Sequence, residues 1–267
     1  MRFAVAVAVV ALAAAASIQT GLAGEPYTPA RLKPAETVDP PAELLDMARQ
    51  FLEAVQKGDG DLIDAAIADK VTAIDGALEL TVKRRKEVLG PYDRIEDMLV
   101  ALANYIGGIY EQPADGGDAT PFAIEAEREY IVGSLTDGQS WGTDPMLKGA
   151  ICTYAYRSFD AAAVGSLAET LNTASSSFFY VDAPAALLAE PKAGAPIVAT
   201  LETDRLYGLD YKTDAPGRWI AVHLPEGGSG FVNFDEVALE KPYAAGICFS
   251  KGKDGKWVMS AQVSTSL

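Results

Sequence analysis

The chain has 267 residues, 37 acidic against 22 basic side chains and one histidine, for a formal charge of −15. Nucleic-acid binding needs a cationic surface to displace phosphate counterions, so this balance excludes it. His223 is the only imidazole, so multi-histidine zinc sites are excluded too.

The chain opens as an export signal. Arg2 precedes an unbroken apolar run from Phe3 to Ala16, which fits an h-region of about 7–15 residues and is short of the ~20 needed to cross a bilayer. Gly21 and Ala23 form an A-x-A-like cleavage site, with Ala14-x-Ala16 as a second option, so residues 1–23 are expected to be a signal peptide. No cysteine follows the run to carry a lipid anchor, and no later segment has the length of a membrane span. The expected location is periplasmic or secreted.

Residues 24–40 contain Pro26, Pro29, Pro34 and Pro40 and read as an extended leader with little order. The following segment, 41–172, is expected to be a mainly helical α+β domain. A first helix is expected after Asp39, with Leu44, Ala48, Phe51, Leu52 and Val55 at helical spacing and Gly58 as its stop. Asp61 is the expected cap of a second. A third starts after Asp93 and ends at Gly107-Gly108; a fourth starts near Asp160. Asp75-Gly76 is a turn signal, residues 113–120 read as loop, and Phe122 to Leu135 fits a strand or a helix. Gly149 to Tyr156 reads as a strand.

The polar run from Asn172 to Ser177 is the expected boundary. Beyond it come short β runs at Phe178–Val181, Ile197–Leu201, Leu206–Tyr211, Trp219–Leu224 and Gly230–Phe234, separated by Pro and Gly. A terminal hairpin, Cys248–Ser250 with Trp257–Ala261, turns around Asp254-Gly255. In an exported chain, an isolated cysteine pair outside any C-x-x-C motif reads as a disulfide, here Cys152–Cys248.

Residues of about 179–239 resemble the bacterial SH3 (SH3b) domain. The resemblance rests on Val198-x-x-Leu201, Leu206-Tyr207-x-Leu209, Trp219-Ile220-x-Val222 and Gly230-Phe231-Val232. It departs from the family at Phe231, where tryptophan is usual, and at Ala186-Leu187-Leu188, where the opening signature is missing. The resemblance implies a small SH3-like β-barrel, so that the fold class is α+β, with 178–267 as barrel plus C-terminal hairpin. More faintly, Phe51-Leu52-Glu53-Ala54 with Gly58-Asp59 and Ile67 to Val71 is similar to the start of cystatin-like cone proteins of the nuclear-transport-factor-two type, which cup small ligands.

Catalytic sets are incomplete. A serine triad would have to use His223, which the strand pattern puts on a barrel rim, and Gly227-Gly228-Ser229-Gly230 lacks the spacing of a nucleophile elbow. Asp59-Gly60-Asp61 begins like a calcium loop but offers no glutamate at the twelfth position, so a helix-cap cluster is the better account. Glu125, Glu127 and Glu129 alternate as on a solvated edge, and Lys83-Arg84-Arg85-Lys86 reads as a solvated face. No catalytic residue, metal or cofactor is therefore expected. Aromatic side chains remain as binding candidates: Tyr207, Tyr211, Trp219 and Phe231 in the barrel region, and Trp141 and Tyr154 at the junction of the halves. Of these, Tyr207 and Tyr211 are expected to be the exposed pair. The expected function is an exported non-enzymatic binding or scaffold protein of the cell envelope, recognising peptide or peptidoglycan fragments or a periplasmic protein. The alternatives are an envelope hydrolase targeted by the SH3b-like domain, or a soluble partner or inhibitor of another protein.

Overall fold

The computed structural model describes residues 25–77, 85–107, 118–136 and 140–266. The expected signal peptide, Lys83 and Arg84 of the basic run, Gly108 and the loop residues 113–117 lie outside them.

The elements in chain order are β1 (Ala30–Arg31), α1 (Ala42–Lys57), α2 (Gly60–Ala66), β2 (Ile67–Ala77), β3 (Arg85–Leu89), α3 (Ile95–Gly107), α4 (Thr120–Thr136), β4 (Ile151–Cys152) and α5 (Ala161–Leu171). Short strands follow: β5 (Phe178–Phe179), β6 (Ala185–Leu188), β7 (Ile197–Leu201), β8 (Arg205–Gly208), β9 (Trp219–His223) and β10 (Ser229–Asn233). The chain closes with β11 (Tyr243–Lys251) and β12 (Trp257–Ser266). The class is mixed α+β.

Helix signals hold with small shifts. α1 buries Leu44, Ala48, Phe51 and Val55 and stops at Gly58, whose φ of 69° suits a residue without a side chain. Asp59, not Asp61, caps α2, accepting from the Leu62 N–H at 3.2 Å. Asp160 caps α5 through the N–H groups of Ala162 and Ala163. α4 resolves the ambiguous segment as a helix: its inward stripe is Ala123, Glu127, Ile131 and Leu135, at steps of four, while Phe122 is exposed. Asp75-Gly76 is not a turn. β2 is paired on both sides there, Asp75 with Ser264 and with Arg85, and two ladders outweigh a dipeptide preference.

The terminal hairpin does not join the short strands before it. β11 and β12 are the centre of a five-stranded sheet ordered β3-β2-β12-β11-β4, with β12 parallel to β2. One face of this sheet carries Ile247, Phe249 and Met259 against Phe51, Leu99, Leu102 and Ile131 of the helices. The other carries Ile74, Cys248, Ala261 and Val263 against Leu147, Cys152 and Tyr154. The hairpin is therefore part of the front unit, and residues 178–240 are inserted between β4 and β11. Cys152 and Cys248 are register partners and form a disulfide of 2.04 Å.

The inserted region makes a four-stranded sheet, β7-β6-β10-β9, and, with β1 of the leader, a three-stranded sheet, β1-β8-β5. A single bridge, Leu209 to Val222, links them. They enclose Phe179, Val181, Leu187, Leu201, Tyr207, Val222 and Val232. Among the described residues the strands do not close into a barrel.

The leader is extended, as its prolines require, but it is not loose. It is a strap that pairs along both units. The Tyr27 N–H donates to Pro225 O and the Leu32 N–H to Asp204 O, both at 2.8 Å, in the inserted region. Further on, Lys33 N–H donates to Ser158 O at 2.7 Å and Val38 N–H to Trp141 O at 2.8 Å. Prolines restrict the unfolded segment, so ordering it costs less entropy, and the intervening N–H groups meet edge carbonyls. The Tyr27 hydroxyl also donates to His223 O at 2.8 Å. Tyr27→Ala should remove this anchor and make the segment before Ala30 a site of rapid proteolysis, with the rest of the chain resistant; an unchanged cleavage rate would contradict the strap.

Candidate functional site

α1 turns a second stripe, which includes the buried Ala54, toward the neighbouring elements. Glu43, Met47, Gln50, Ala54 and Lys57 recur at three and four along it and face a groove closed by α2 and the β11–β12 turn. The groove has a volume of about 690 Å³. Its floor is apolar: Met47, Phe51, Ala54, Ala66 and Trp257, with Leu62 on the α2 side 56% exposed. Phe51 is held from below by an edge-to-face contact with Phe249, ring centroids 6.4 Å apart.

The hairpin turn places the opposite wall. Gly255, at φ 80°, reverses the chain, and the Gly252 N–H donates to Lys256 O at 2.7 Å. The Asp254 carboxylate accepts the Lys256 N–H at 3.0 Å, which holds its pKa below the usual range. Lys251 and Trp257 are register partners at the base of this turn. The Lys251 ammonium lies 4.9 Å above the Trp257 ring and 3.8 Å from the Glu43 carboxylate across the groove. Glu53 and Lys57 pair at 3.4 Å further along α1. The rim thus carries the carboxylates of Glu43, Asp46 and Glu53 and the ammonium groups of Lys57, Lys251 and Lys256 around an apolar floor.

The six aromatic candidates do not converge. Tyr207, expected on the surface, is 2% exposed in the core of the inserted region, and its hydroxyl accepts the Glu202 N–H at 2.8 Å. Tyr211 is 74% exposed. Trp219 is partly buried at the start of β9, and Phe231 is buried between Ala221 and Leu188 in the register. Trp141 packs at 6.1 Å from Phe249 under the front helices. Tyr154 is buried, donating to Asp144 Oδ2 at 2.7 Å, with its hydroxyl 3.9 Å from Cys248 Sγ. None of the six lines the groove. Trp257, Lys251 and Leu62 were missed as site residues because a groove between helix and turn has no local pattern. The one legible signal was Trp257 beside a lysine-rich turn.

Two polar clusters lie elsewhere. On the inserted region, Asp210 Oδ2 accepts from Thr213 Oγ1 at 2.6 Å and Ser229 Oγ at 2.5 Å, and Oδ1 accepts the Lys212 N–H at 2.9 Å. His223 Nε2 is 3.9 Å from Asp210 Oδ1. Burial pushes the Asp210 carboxyl up, but these hydrogen bonds outweigh it and hold it below the ordinary range. Burial lowers the His223 pKa, against the pull of Asp210. Ser, His and Asp are thus neighbours, yet the serine proton goes to the aspartate and not to the imidazole, so the arrangement ties a loop to β10 and generates no alkoxide. In the front unit, Glu127 is not on a solvated edge. It is 1% exposed and faces Gln262. Burial pushes its carboxyl up to about 8, against the lowering effect of the Gln262 hydrogen bond.

Among the described residues no cluster of ligating side chains could hold a metal ion, and no helix is long and apolar enough to cross a membrane. Comparison with protein-family models, curated proteins and solved structures gives no match.

Proposed function

We propose that this is an exported, non-enzymatic binding protein of the cell envelope, and that the groove between α1, α2 and the hairpin turn takes a peptide or peptidoglycan fragment. The observation that carries this reading is the groove itself: a volume of about 690 Å³ with an apolar floor inside a rim of both charge signs. A peptide stem presents short apolar groups, carboxylates and amines on one chain, and such a rim can pair both charges while the floor takes the apolar groups. The apolar start of the sequence and the Cys152–Cys248 disulfide support a periplasmic or secreted location.

Residues 178–240 are assigned in the same reading to an SH3b-like module, on the strength of Trp219-Ile220-x-Val222 and Gly230-Phe231-Val232. Tyr211 and Trp219 are its available contact aromatics. A hydrolase would need a raised and an ionised carboxyl facing one cleft. Glu127, raised, lies inside the front unit, and Asp210, lowered, lies on the inserted region. Neither lines the groove, which favours binding.

Retention on purified peptidoglycan tests the reading. The wild-type protein should co-sediment at low and moderate salt, and absence of retention at both would overturn it.

A further inference from the structure

α4 and β12 meet through one buried polar pair. Glu127 is 1% exposed and Gln262 0% exposed. The Gln262 amide Nε2 donates to Glu127 Oε2 at 3.0 Å. The two remaining oxygens, Glu127 Oε1 and Gln262 Oε1, are buried and have no hydrogen-bond partner. Both are acceptors when Glu127 is ionised, so neither can relieve the other. Adding a proton to the carboxyl creates a donor, and an acid–amide pair then forms two hydrogen bonds where the ionised pair forms one.

The groups around the pair do not favour a charge. Tyr130, one turn along α4, donates its hydroxyl proton to Val263 O at 2.5 Å and accepts the Gly246 N–H at 2.8 Å, so it is committed to the backbone of β12 and β11. Asp75 of β2, the register partner of Ser264, is a second buried acid on the helix-facing side of the sheet. Tyr105 of α3 packs against the front core, to which α1 contributes the apolar Ala48, Phe51 and Val55. The neighbouring Arg128 lies 3.9 Å from Glu125 and against Gly58 at the end of α1. No described cation faces the Glu127 carboxyl.

We propose that Glu127 is a neutral acid in the folded protein, donating its proton to Gln262 Oε1, and that this pair is a proton-dependent latch between α4 and β12. Burial pushes the carboxyl up to about 8, in line with this arrangement. The folded state then keeps a proton that the unfolded chain releases in the ordinary carboxylate range. The latch therefore contributes most at acid pH. Its contribution falls as pH rises from the ordinary range toward about 8, and levels off above it. β12 also carries Trp257, so the latched strand is the one that walls the groove.

The test compares the full-length wild type with Glu127→Gln, which offers an amide in place of the acid. Urea unfolding midpoints are measured between about pH 5 and pH 9. The wild-type midpoint should fall across that range by more than the midpoint of Glu127→Gln, and the variant should be the more stable at the alkaline end. Asp75 is present in both proteins, so the difference isolates Glu127. Infrared spectra of the wild type near pH 6 should show a protonated carboxyl that is slow to exchange with deuterium, a readout that does not depend on the variant folding. Parallel pH profiles for the two proteins, or no protonated carboxyl in the wild type, would overturn the proposal.

Discussion

Reducing the Cys152–Cys248 disulfide, or replacing both cysteines by alanine, should lower unfolding stability by about 4–5 kcal/mol, the chain-entropy value for so long a loop. The bond closes 96 positions, and most of that loop is the inserted region with its own core. Without the bond, the unfolded chain regains the freedom to separate β4 from β11. In the folded state both cysteines are fully buried beside Tyr154, Ala261 and Val263, so the thiols remain packed and the change falls mainly on the unfolded ensemble. Urea unfolding with and without reductant measures it. A change below about 1 kcal/mol would mean that the ladder alone holds the two strands together.

Phe249→Ala should cost about 3–5 kcal/mol, the range for removing a large buried ring. Phe249 is 0% exposed and touches both Phe51 of α1 and Trp141. Its location makes the outcome regional. Amide exchange should accelerate in α1, α3 and α4, which rest on that face of the sheet. It should change little in β6, β7, β9 and β10, whose core of Leu187, Leu201, Val222 and Val232 does not include Phe249. If the protected amides of the inserted region were lost first, the hairpin would belong energetically with that region instead.

What could be seen in the sequence followed the range of the interaction concerned. Local signals were legible: Gly58 ends α1 because a left-handed residue is needed there, and Asp160 caps α5 with its own side chain. The short runs starting at Ile197, Trp219 and Gly230 appear as strands within a residue or two. Signals that depend on remote partners misled. Asp75-Gly76 looks like a turn until β12, almost two hundred residues later, pairs with it in parallel. Nothing near the terminal hairpin shows that its partners are β2 and β4 and not the strands just before it. Glu127 reads as surface because its alternation with Glu125 and Glu129 says nothing about the fourth-residue stripe that α4 buries. The expected exposure of Tyr207 misled for a related reason. Its hydroxyl finds a hydrogen-bond partner in the Glu202 N–H, so it can be buried where an exposed position was expected. The groove was invisible for the same cause, since its walls come from residues 43–66 and 251–257.

The central claim is that the groove between α1, α2 and the hairpin turn binds an envelope peptide or peptidoglycan fragment. Leu62→Glu is the sharpest probe of it. Leu62 is 56% exposed, so the substitution leaves the core intact while placing a charge on the apolar wall. Co-sedimentation with purified peptidoglycan over a range of polymer concentrations should show binding weakened about tenfold, equivalent to ~1.4 kcal/mol, with unchanged thermal unfolding. Equal retention of wild type and Leu62→Glu would contradict the assignment of the groove as the site.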